Sequence, residues 1–73
     1  MRVHVTLKTP HTEADIATVV REGGLVDVNM PRARKYGVVS GKLTDAARVV
    51  RLRSLPCVEA VEADGKKGAT VGL

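Results

Sequence analysis

The chain has 73 residues, a formal charge of +4 and a pI near 9.7. That length allows one small domain, which buries only about 60% of its unfolded surface and leaves little room for an enclosed active site. A single Cys excludes an internal disulfide and a cysteine-based metal cluster, and no window approaches the roughly 18 apolar residues of a membrane span.

With one Tyr, no Phe and no Trp, the core must close with small aliphatic side chains. Arg2 to Lys8 alternates, with Val3, Val5 and Leu7 on one side and Arg2, His4, Thr6 and Lys8 on the other. A period of two predicts a half-buried strand. The same segment, MRVHVTLK, carries no export-type apolar run, and the expected compartment is the cytoplasm. Thr12 with Asp15 three residues later is a capping-box arrangement, opening a helix from Glu13 to about Glu22 that buries Ile16, Val19 and Val20. Gly23-Gly24 ends it, since glycine takes the left-handed cap without steric cost.

Leu25 to Met30 is expected to be a second strand, Pro31 to Lys35 a polar connection, and Tyr36 to Leu43 a third strand, so that the pair forms a hairpin. Thr44-Asp45 opens a second helix, through about Ser54, with Ala46, Val49 and Val50 inward, Leu52 at the margin, and Arg48 and Arg51 outward. Pro56 stops it, and a fourth strand follows from Val58. Two alternating sets compete for its inner face, Val58, Ala60 and Glu62 against Glu59, Val61 and Ala63, and both contain Val. The order β-α-β-β-α-β predicts an α+β ferredoxin-like domain over residues 1–65. Right-handed crossovers place both helices on one face of a four-stranded antiparallel sheet and leave the other face open to water or a partner. Residues 66–73 are expected to form a flexible C-terminal tail.

Gly23-Gly24-Leu25-Val26, Val39-Ser40-Gly41-Lys42-Leu43-Thr44 and Leu55-Pro56-Cys57-Val58-Glu59-Ala60-Val61-Glu62-Ala63-Asp64 together resemble a subtilisin propeptide, the I9-type inhibitor fold, and in particular its stand-alone relatives. The resemblance spans residue 2 to about 65, and its most specific part is the Val-Glu-x-Asp ending. It implies a protein-binding domain that inhibits a subtilisin-like serine protease or assists its folding. It further implies that Glu62 and Asp64 face the N-termini of two protease helices, where unpaired N–H groups attract carboxylates. The tail would then enter the protease cleft as an added strand. Counting from Asp64 places Lys67 at a subsite that is normally apolar; with Leu73 at the end of the cleft, Thr70 would stand there instead.

Two other classes follow from the residues themselves. The open face could serve a small regulatory or self-association module, including a homo-oligomer. Arg32, Arg34 and Lys35 with Tyr36 could track a phosphate backbone, although one Tyr cannot supply the stacked platforms of sheet-based RNA binders. Solvation of a hairpin tip explains those cations equally simply. His4, His11 and Cys57 lie on different elements, so no metal is expected. No cofactor is expected either. The lysines stand at polar positions and Pro10 removes an N–H from the first loop, which argues against Schiff-base or phosphate-loop catalysis and for a non-enzyme.

Overall fold

A computed structural model describes residues 1–63. Six elements follow one another: β1 (Arg2–Leu7), α1 (Glu13–Gly23), α2 (Met30–Tyr36), β2 (Val38–Lys42), α3 (Arg48–Ser54) and β3 (Val58–Ala63). The fold is α+β, with an open three-stranded antiparallel sheet in the order β2-β1-β3 and three helices.

The alternation in β1 sets the layers. Val3, Val5 and Leu7 are buried, and Val5 lies between Val39 of β2 and Val61 of β3 in the pairing register. Onto this face α1 delivers Ile16 and Val19, α3 delivers Val49 and Leu52, and α2 delivers Ala33. No aromatic ring enters the core. Its volume is built from many small pieces, so backbones must approach closely. Gly23 shows how: a Cβ there would lie 3.1 Å from both Leu52 methyl groups, so the missing side chain is what lets α3 seat on α1.

Helix α1 has the expected caps. Thr12 Oγ1 accepts from the Asp15 N–H, Asp15 Oδ2 accepts from the Thr12 N–H, and Gly24 closes the helix at φ 58°. The middle of the chain departs from expectation. Between 25 and 30 a strand gives way to a single antiparallel bridge between Val26 and Lys42, and the supposed polar connection is helix α2. Asp27 at φ 53° interrupts the extended backbone. Asn29 then caps the Arg32 N–H with its side-chain oxygen, and Pro31 sits in the first turn, where its missing N–H costs nothing. Tyr36 consequently ends a helix rather than starting a strand, and Gly37 at φ 70° turns the chain into β2.

The second expected helix is also shorter than its pattern suggested. Residues 45–47 form a tight turn in which Asp45 accepts from the Arg48 and Ala47 N–H groups, and α3 begins only at Arg48. That shift rotates the inner face to Val49 and Leu52. Val50, expected inside, is 67% exposed, and Ala46 is exposed. Across the outer rim, Arg51 donates to Glu22 Oε1 at 3.1 Å and Arg48 donates to the Glu22 carbonyl, tying α3 to the end of α1.

Two expected outcomes follow. Gly24→Ala and Gly37→Ala both force a Cβ into left-handed backbone, at roughly 1–2 kcal/mol. At Gly24 the new Cβ meets only the Arg48 side chain at 3.6 Å, whereas at Gly37 it would lie 2.9 Å from His11 Nδ1. Gly37→Ala should therefore lower the urea midpoint more than Gly24→Ala; equal losses would contradict the described packing of His11. The hydrogen bond from Arg51, helped by the charges of Arg51 and Arg21, holds the Glu22 carboxyl below its ordinary 4.5. A depressed folded-state pKa gives stability that is present above the unfolded value and is lost as pH falls through the folded one. The stability gap between wild type and Glu22→Gln should thus be open at neutral pH and close as pH falls through the depressed folded-state value.

Candidate functional site

The pleat that buries Val3, Val5 and Leu7 sends their neighbours to the opposite face. There the cross-strand register makes three rows. Val38, Thr6 and Ala60 form a row of small, half-buried side chains. Ser40, His4 and Glu62 form a polar row next to it, and Lys42 with Arg2 forms a cationic margin. Among the described residues no helix covers this face; α1, α2 and α3 all supply the core cluster on the other side. The open face thus has a centre of short side chains and charges at its margin.

Within the polar row, His4 Nδ1 and Ser40 Oγ share a 2.7 Å hydrogen bond. Ser40 is only 4% exposed, so its hydroxyl is committed to holding the imidazole rather than offered to a substrate. Glu62, on the far side of His4 in the register, is exposed. The two competing side assignments of this strand resolve through a break in the ladder. Leu7 pairs with Val58 and Thr6 with Ala60, so Glu59 is an extra residue between them. Val58 and Val61, three apart, thereby both reach the core, and Glu59 and Glu62 both reach solvent. Of the docking residues implied by the resemblance, Glu62 is therefore on the open face. Asp64, Lys67, Thr70 and Leu73, like the expected tail, lie outside the described residues.

The three cations of the supposed hairpin tip are separated by α2. Arg34 turns toward α1, where its Nε donates to Glu13 Oε1 at 2.9 Å and its carbonyl accepts from His11 Nε2 at 3.1 Å. Both partners of that ion pair are more than half exposed, so it contributes at most about 1 kcal/mol. Arg32 and Lys35 lie together on another side, lining an open cleft of about 730 Å³ with Asn29, Pro31, Tyr36 and Val38. Lys35 Nζ stands 5.3 Å from the centre of the Tyr36 ring. Sequence reasoning grouped these cations as one loop; the signal that separates them is helical spacing from the Asn29 cap.

Cys57 is half-buried against the core, and among the described residues no cluster of three or more His, Cys, Asp or Glu side chains is placed to hold a metal ion. No helix among the described residues is long and apolar enough to cross a membrane. Compared with protein-family models, curated proteins and solved structures, the chain matches none.

The Ser40–His4 pair gives a direct test of the polar row. Ser40→Ala removes one partner from a partly buried hydrogen bond and should cost about 0.5–1.5 kcal/mol of stability. Urea unfolding monitored by circular dichroism would read it, and an unchanged midpoint would mean that the bond contributes nothing to the folded state.

Proposed function

We propose that this chain is a protein-binding domain that docks through its open sheet face, with a subtilisin-like serine protease as partner and inhibition or folding assistance as the outcome. The reading is non-enzymatic. The observation that carries it is the exposed position of Glu62 on the uncovered face, beside small residues that let a partner's helices come close. A carboxylate at that place can accept from the free N–H groups of an approaching helix N-terminus. The Val61-Glu62-x-Asp64 ending adds the resemblance to the propeptide inhibitors.

The ferredoxin-like arrangement belongs to the same proposal. Val26 and Lys42 exchange both backbone hydrogen bonds, at 3.1 and 2.8 Å, and the Asn29 N–H donates to the Ser40 carbonyl. These contacts support reading 25–29 as a residual fourth strand beside β2. A partner seated on the sheet could lengthen it, and the docked surface would then span four strands.

The reading is tested by titrating subtilisin with the protein and three variants. Thr6→Arg places a long cation at the centre of the open face and should abolish the complex. Val50→Arg, at an exposed position of α3 on the other side, should leave it intact. Glu62→Gln should weaken binding by about 0.3–1 kcal/mol, or roughly 2- to 5-fold. The absence of a wild-type complex at high micromolar concentration would sink the protease reading. Equal effects of Thr6→Arg and Val50→Arg would sink the docking face.

A further inference from the structure

We propose that the cleft beside α2 is a binding site for a nucleoside phosphate unit, with the base stacked on Tyr36 and the phosphate held by Arg32 and Lys35. The cleft adjoins the open face at Val38 but does not include Glu62, and the inference does not rest on the protease reading. Three observations carry it together.

The first is shape. The cleft has a volume of about 730 Å³, and its wall is Asn29, Pro31, Arg32, Lys35, Tyr36 and Val38. The second is charge. Most arginines of the described chain are engaged: Arg34 with Glu13, Arg51 and Arg21 with Glu22, and Arg48 with a carbonyl. Arg32 and Lys35 have no acidic partner among the described residues, and no acid lines the cleft. Residues three and four apart share a helix face, so Arg32, Lys35 and Tyr36 converge by the geometry of α2 itself.

The third observation is the ring. Tyr36 is the only Phe, Trp or Tyr of the chain, yet it takes no part in the core and is 63% exposed. A protein whose core lacks aromatic rings places its one ring at the mouth of a cationic cleft. Lys35 Nζ lies over one face of that ring, 5.3 Å from its centre, so a cation accompanies the platform and a base would take the opposite face. A planar base suits the ring, and an anion one sugar away suits the two cations. A single platform accommodates a single base, so the site takes one nucleotide, either free or as one unit of a single strand.

Because there is one tyrosine, its ring proton signals report this cleft alone. We expect these signals to move upfield when adenosine monophosphate is titrated into the intact protein, and not when inorganic phosphate is. A single-stranded oligouridine forms the second arm. Tighter binding of the oligonucleotide, weakening with salt as phosphate contacts require, assigns the site to a strand. Tighter binding of the mononucleotide assigns it to a free nucleotide. Tyr36→Leu should lose about 5- to 100-fold in affinity, and Tyr36→Phe should retain it. Arg32→Gln with Lys35→Gln should lose at least about tenfold. Arg34→Gln should change nothing, because its side chain faces Glu13. The proposal is overturned if neither nucleotide probe moves the Tyr36 signals, if inorganic phosphate or polyglutamate binds as tightly, or if Arg34→Gln costs as much as the double change.

Discussion

The structure depends on the pairing of Val5 with Val39 on one side and Val61 on the other. A strand has two faces, and a shift of one residue exchanges them. With these three valines buried, His4 must stand between Ser40 and Glu62 on the reverse side. Core and open face are thus one decision. The inner row contributes burial, about 1.5–3 kcal/mol for each fully covered aliphatic side chain. The outer row inherits its composition from the same register, and the open face needs no further element to define it.

The helices complete that decision with unusually small parts. Ile16 and Leu52 are the largest side chains fully buried, and the space that aromatic rings fill elsewhere is removed instead by close approach. Gly23 against Leu52 is the clearest case, and Ala33 is the only residue of α2 buried in the core. A core of this kind tolerates little added volume.

The first strand and first helix were legible because their signals are local and redundant. Arg2 to Leu7 alternates without exception, and Thr12, Asp15 and Gly24 mark both ends of α1. The segment from Leu25 to Tyr36 was misread because its apolar residues Leu25, Val26, Val28 and Met30 mimic a strand, while the decisive features are a single left-handed Asp27 and the Asn29 cap. The inner face of α3 was displaced for a related reason: Thr44-Asp45 has the composition of a cap, but a turn intervenes before Arg48. For the candidate site, Glu62 was singled out from its motif, whereas its side of the sheet was left open. A one-residue irregularity at Glu59 decides that, and pattern counting assumes there is none. The separation of Arg34 from Arg32 and Lys35 could emerge only once α2 replaced a loop.

The irregularity at Glu59 also bears on how this sheet meets other strands. Among the described residues β1 is the only strand paired with β3, so the other edge of β3 is the natural place for a foreign strand to join. An incoming chain needs a straight run of alternating N–H and C=O groups, and the extra residue breaks that run in the first half of the strand. It also needs tolerant side chains, and this strand exposes two carboxylates, Glu59 and Glu62. An interrupted ladder and charged side chains are both features that disfavour edge-to-edge pairing of identical strands.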